Sequence, residues 1–184
     1  MELQIINLQH RSDRLYLLKQ ELAIQEITNY KIWDGVLDIQ GPKVGIAKAH
    51  KQIVKWAKKL NLESIVIAED DIIFTDKGAY NYFIKQTPKE YDLYLGGIYY
   101  GYIKHDHSVP DFSGLTLYRI HKRFYNRFLS CEDLGDLDRQ LAAKGKFIVC
   151  DPFVVKQRAG FSDNVLKYID YEQLLGGRNF FKRK

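Results

Sequence analysis

The chain has 184 residues, enough for one domain with a substantial core and too few for two ordinary ones. Hydrophobic residues make up 46% and aromatics 14%, which excludes a disordered chain. The formal charge of +5 fits a polyanionic partner and equally a chain that holds a nucleotide pyrophosphate.

Part of the basic excess lies in a tail over residues 178–184 that ends Phe-Phe-Lys-Arg-Lys. The two cysteines, Cys131 and Cys150, lack metal-ligand spacing, so free thiols in a reducing compartment are expected. Met1 leads directly into a strand-like segment, so no signal peptide is expected. No apolar run approaches the roughly 20 residues of a membrane span. The expectation is a soluble cytoplasmic protein, with at most a weak peripheral attraction to an anionic membrane surface.

In chain order, Leu3–Leu8 is predicted as the first strand. A polar loop follows, and Ser12 or Asp13 is placed to cap a helix whose Leu15, Leu18, Leu22 and Ile24 recur at helical spacing. Arg11 and Arg14 then stand at a strand-to-helix junction, where arginine forks grip phosphate or ribose. The alternative is two surface arginines paired with Glu21 or Asp13. A second strand is predicted from Asn29 to Trp33, ended by the turn signal Asp34-Gly35. Asp34 would accept hydrogen bonds from a base or a ribose, or simply serve the turn. Gly41-Pro42 opens a helix running to about Leu60. Its apolar face carries Ile46, Ala49, Ile53, Trp56, Ala57 and Leu60; its lysines, Lys51 among them, form a solvated face. His50 lies beside the apolar stripe, where a structural role is the default reading.

Ser64–Phe74 is the most informative stretch. A β-branched apolar run reaches Glu69, Asp70 and Asp71, and apolar residues resume at Ile72. This reads as one buried central strand. Unpaired carboxylates are costly in a core. They suit the carboxyl edge of a sheet, where α/β folds place their ligands, and they suit a hard cation such as Mg²⁺ or Mn²⁺. A solvated turn is the alternative, and the apolar flanks argue against it.

A short helix is predicted over Lys77–Gln86, and a strand over Tyr91–Leu95 that stops at Gly96-Gly97. Ile98–Ser113 is a long loop in which Tyr99, Tyr100 and Tyr102 are candidates to stack on a sugar or base. Its His105-Asp106-His107 is a minor metal candidate. A strand over Leu115–Ile120, a basic helix over His121–Leu129 and a helix over Glu132–Ala143 follow, the last with Asp133, Asp136 and Asp138 in its first turns. Phe147–Val149 is a short strand, Gly160–Asn164 a loop, and the end from Val165 is expected to be a helix and the basic tail. Strands and helices alternate over the first two-thirds, which predicts one α/β domain over residues 1–184 with a mostly parallel central sheet flanked by helices.

Several stretches together resemble the family 25 glycosyltransferases, which include lipooligosaccharide and collagen galactosyltransferases. Ile5-Ile6-Asn7-Leu8 with Arg11 and Arg14 looks like the family's first strand and loop. Asp34-Gly35 matches its early Asp-Gly. Gly45–His50 is similar to its Gly-x-x-x-Ser-His segment, with Ala49 in place of serine. Ile67–Asp71 matches its hydrophobic-Glu-Asp-Asp motif, and Gly114–Ile120 its late strand, without the usual histidine. Leu137-Asp138-Arg139 and Pro152–Ser162, with Gln157, are similar to its closing segments.

The resemblance implies a GT-A-like fold, a nucleotide-sugar donor, expected to be a UDP-sugar such as UDP-galactose, and Mn²⁺ or Mg²⁺ at the acidic motif. Asp71, with Glu69, would then hold the metal, the two sharing a strand face while Asp70 turns the other way. Asn7, Arg11, Arg14, Asp34, His50, Asp70 and Gln157 would hold the donor. Inverting transfer needs a carboxylate base, for which Asp138 stands first and Asp136 second. Tyr99, Tyr100 and Tyr102 would face the acceptor. A saccharide is expected there, as in lipopolysaccharide biosynthesis, with an anionic or nucleic-acid acceptor as an alternative. Two other readings stay open: a metal-dependent phosphoesterase using the His105-Asp106-His107 loop, and a non-catalytic carbohydrate- or nucleic-acid-binding module.

Overall fold

The computed structural model describes residues 1–183. In chain order the elements are β1 (Leu3–Asn7), α1 (Ser12–Ile24), β2 (Tyr30–Asp34), α2 (Pro42–Lys59), β3 (Ser64–Glu69), β4 (Ile72–Phe74), α3 (Ala79–Lys85) and β5 (Leu93–Leu95). Then come β6 (Tyr100–Gly101), β7 (Phe112–Ser113), β8 (Leu117–His121), α4 (Tyr125–Leu129), α5 (Leu137–Leu141), β9 (Phe147–Val149), β10 (Val155–Gln157), β11 (Gly160–Ser162) and β12 (Lys167–Ile169).

Six strands form the central sheet in the order β2-β1-β3-β8-β5-β9. All but β8 run in one direction. Alternation along β3 divides the core. Ile65 and Ile67 point to one face and pack with Ile53 and Ala57 of α2, Phe128 of α4 and Leu141 of α5. Val66 and Ala68 point to the other and pack with Leu18 and Leu22 of α1 and Phe83 of α3. Period-two alternation in the strands and a period near 3.6 in α1 and α2 therefore generate the layers.

Parallel pairing brings the carboxyl ends of β1, β2 and β3 to one edge, with Ile6 opposite Glu69 and Asn7 opposite Asp34. The antiparallel β8 contributes its amino end there, because Ala68 pairs with Leu117 and the Glu69 N–H donates to the Thr116 carbonyl at 2.9 Å. The expected α/β architecture is present, and the edge it predicted for the ligand carries the acidic motif.

Some local expectations need correction. Ser64–Phe74 is not one strand: Asp70-Asp71 form a turn, and β4 leaves the sheet to pair with β10. Neither Ser12 nor Asp13 caps α1; Arg11 holds the cap position without a side-chain bond, and Asp13 lies in the first turn. Lys51 is buried, not solvated. Its ammonium donates to the Cys131 carbonyl and to Asp133 Oδ1, the latter at 2.6 Å. Leu60, assigned to the apolar face of α2, is exposed.

The Ile98–Ser113 loop contains the paired β6 and β7. The Glu132–Ala143 helix shrinks to α5, since Gly135 takes a left-handed φ of 90° just before it. The chain after Val165 forms the second strand of the β11–β12 hairpin, with Phe161 opposite Tyr168, in place of the expected helix. No described helix is long and apolar enough to cross a membrane.

Candidate active site

A cleft of about 220 Å³ opens at the carboxyl edge of the sheet. Glu69, Asp70 and Asp71 all line it, so the expected alternation of these side chains does not hold. The turn at Asp70-Asp71 supplies the reason: strand geometry ends at Glu69.

Each acid is held differently. Asp70 accepts from Asn7 Nδ2 at 2.7 Å and from Arg14 Nη1 at 3.0 Å. Asp71 Oδ2 accepts from the same Arg14 nitrogen at 3.1 Å and from Gln157 Nε2 at 2.7 Å. Asp71 Oδ1 is buried without a partner. Burial, reinforced by repulsion from Glu69 and Asp70, pushes the Asp71 carboxyl up to about 7. Glu69 keeps one side to solvent and takes a 3.3 Å contact from His50 Nε2. The Tyr118 hydroxyl lies 2.9 Å from His50 Nδ1, which fixes the ring with Nε2 toward the carboxylate. His50 thus orients an acid of the site from beneath.

Among the described residues no three His, Cys, Asp or Glu side chains group to hold a metal ion. Two carboxylates, Glu69 and Asp71, with one orphaned oxygen suit Mg²⁺ or Mn²⁺, which take one or two protein carboxylates and complete their shell with substrate phosphates and water. Hence the donor set fits such an ion.

Asp138 lines the same cleft from the first turn of α5. Its Oδ2 accepts the Gly114 N–H at 2.9 Å and its Oδ1 the Arg139 N–H at 2.7 Å. Burial raises its pKa, and those N–H bonds pull it part of the way back. Asp136 also lines the cleft but is paired with Lys43 at 2.8 Å.

The two arginines assigned to the donor are already occupied. Arg14 bridges Asp70 and Asp71 and donates to the Phe161 carbonyl at 2.7 Å. Arg11 pairs with Asp13 at 2.9 Å and Asp163 at 2.5 Å and does not line the cleft. The surface pairing with Asp13 is therefore present, whereas Glu21 pairs with Arg158. Asn7 is buried and bonded to Asp70. Asp34 sits exposed at the end of β2, outside the cleft. Gln157 lines the cleft, as does Tyr99, whose hydroxyl turns inward to Gln157 Oε1. Tyr100 and Tyr102 are exposed and lie outside it; the Arg139 guanidinium covers Tyr100.

Sequence reasoning missed Thr116, Asp163, Asn164 and Tyr171. The last three line the cleft, and Thr116 bonds to Tyr99 behind it. A threonine between apolar strand residues was a usable signal for Thr116. The others depend on a hairpin that the sequence did not predict.

No protein-family model matches the sequence, and no curated protein sequence matches it. Among solved structures the chain is similar to A197 from STIV, at 14% identity and a TM-score of 0.55, over 100% of this chain and 97% of that one. It is also similar to a glycosyltransferase involved in the glycosylation of the major capsid of PBCV-1, at 11% identity and a TM-score of 0.52, over 82% of this chain and 81% of that one. The chain has a GT-A-like fold. At these identities the likeness concerns the fold alone.

Proposed function

We propose that the chain is a metal-dependent hexosyltransferase of the family 25 type. Its donor is a nucleotide sugar, a UDP-sugar such as UDP-galactose, and its acceptor a hydroxyl of a glycan, reached with inversion. One observation carries the reading. In a GT-A-like fold, one cleft at the carboxyl edge of the sheet holds the orphaned Asp71 Oδ1 and Glu69 together with the half-buried Asp138 carboxylate.

The acceptor oxygen bonds to the sugar's anomeric carbon as the bond from that carbon to the diphosphate oxygen breaks. The diphosphate leaves with the electron pair, and Asp138 takes the acceptor proton. Asp138 suits this work better than Asp136, whose carboxylate is neutralised by Lys43. Glu69 and Asp71 would hold Mn²⁺ or Mg²⁺, which when bound neutralises the departing diphosphate. Arg14 brings further positive charge to Asp70 and Asp71. The basic charge of the chain favours an anionic glycan as acceptor.

A thermal-shift screen of nucleotide sugars with and without Mn²⁺ tests the reading. A UDP-sugar is expected to stabilise the protein only when Mn²⁺ is present. If no UDP-, GDP-, CMP- or TDP-sugar gives a metal-dependent shift, the reading fails. The phosphoesterase reading has no support from the geometry: Asp106 accepts from Ser108 at 2.6 Å, His107 approaches Asp151 at 3.7 Å, and neither lines the cleft.

A further inference from the structure

A chain of side-chain hydrogen bonds runs behind Asp71. The Thr116 hydroxyl donates to the Tyr99 oxygen at 2.6 Å. The Tyr99 hydroxyl donates to Gln157 Oε1, and Gln157 Nε2 donates to Asp71 Oδ2 at 2.7 Å. A primary amide can turn over and exchange its oxygen for its nitrogen. Turned over, Gln157 would set Oε1 against the Asp71 carboxylate. Two things oppose that: Oε1 would face a carboxylate, and the Tyr99 O–H would have to leave Oε1 and give its hydrogen to Thr116 Oγ1 instead. Burial and the nearby Glu69 and Asp71 charges keep the phenol protonated and therefore a donor.

Arg14 and Gln157 together occupy Asp71 Oδ2, and Oδ1 is the oxygen left without a partner. The geometry points to Tyr99 as a positioning residue: through Gln157 it locks the Asp71 carboxylate so that Oδ1 is presented to a divalent cation. This replaces the acceptor contact expected for Tyr99, and it rests on the cation site of the proposed transferase. Thr116 supports Tyr99 from behind in the same way.

Calorimetric titration of the full chain with Mn²⁺ alone tests the assignment. Tyr99→Phe is expected to weaken Mn²⁺ binding about 10-fold, the lower end of what outer partners of metal ligands contribute. Gln157→Ala should weaken it at least as much, and Tyr99→Phe should have no further effect in the Gln157→Ala background. Tyr125→Phe removes a hydroxyl that donates to the Leu62 carbonyl at 3.1 Å away from the cleft, and it should leave Mn²⁺ affinity at the wild-type value. Should Tyr99→Phe fail to fold, Thr116→Val is expected to weaken binding in the same direction by a smaller factor. The side-chain amide resonances of Gln157 supply a metal-free readout: one sharp pair in the wild type, broadened or doubled in Tyr99→Phe. Wild-type Mn²⁺ binding that Tyr99→Phe leaves unchanged, or additive losses in the double variant, overturns the positioning role and leaves the transferase reading standing. A wild-type chain that takes up no Mn²⁺ overturns both the cation site and the role assigned to Tyr99.

Discussion

At the scale of single residues, Asp71 is the costly group. Its carboxyl is buried among two other acids, with one oxygen unpaired. Its folded pKa lies above the unfolded value of about 4. The native state therefore holds more protons than the unfolded chain between about pH 4 and pH 7, and its stability falls as pH rises through that window. Asp71→Asn removes this penalty. It should stabilise the metal-free protein by on the order of 1–2 kcal/mol at pH 8 and have little effect below pH 4, as read by thermal melts across pH. If the proposed transferase reading holds, the same variant should lower that activity on the order of 100-fold or more. On the proposed reading, Asp138→Asn should lower kcat about 10²–10⁴-fold and leave nucleotide-sugar affinity near wild type, because that reading gives the group the acceptor proton. Equal losses in donor affinity would place Asp138 on the donor instead.

At the scale of elements, α2 shows how tightly the site edge is built. A Cβ on Gly45 would stand 2.1 Å from the Val36 carbonyl oxygen, which belongs to backbone and cannot swing aside. Gly45→Ala gains about 1 kcal/mol of helix propensity. The overpacking should outweigh that, for a net loss of roughly 1–3 kcal/mol in denaturant unfolding. A stability gain would show that the first turn of α2 is free to move.

The helices α1 and α2 and the strands β1, β2 and β3 were legible because leucines at helical spacing and short β-branched apolar runs are local signals, although Ile24 of α1 is exposed. The Ser64–Phe74 break was not. Apolar residues on both sides of the acids suggested a continuous strand, whereas the chain turns at Asp70-Asp71 and β4 pairs elsewhere. Lys51 was misplaced for a similar reason: its position on α2 fixes a direction, and only the approach of Asp133 and the Cys131 carbonyl makes burial tolerable there.

At the scale of the whole molecule, the C-terminal hairpin closes the cleft through two arginines from the opposite end of the chain. Phe161 accepts from Arg14, and Asp163 pairs with Arg11. Among the described residues β11 and β12 pair as strands only with each other, and a lone two-stranded hairpin has little stability of its own. Asp163→Asn should therefore raise amide hydrogen exchange over residues 160–169 several-fold while β3 and β8 keep their protection. Unchanged exchange in the hairpin would mean that the arginine contacts to the Phe161 carbonyl hold it without the Asp163 charge.

The sequence by itself determined the layered α/β architecture, the edge at which a ligand would bind and the acidic motif that stands there. These follow from side-chain period and from the cost of burying charge, both of which act within a few residues. The tertiary structure alone decided which groups meet Asp71. Arg14 comes from α1, Gln157 from β10, and Tyr99, which reaches Asp71 through Gln157, from the segment between β5 and β6; Gln157 lies 86 positions from Asp71 along the chain. Hydrogen-bond direction, the choice of which Asp71 oxygen stays open and the inward turn of Tyr99 are properties of that convergence, since they depend on distances that no local pattern encodes.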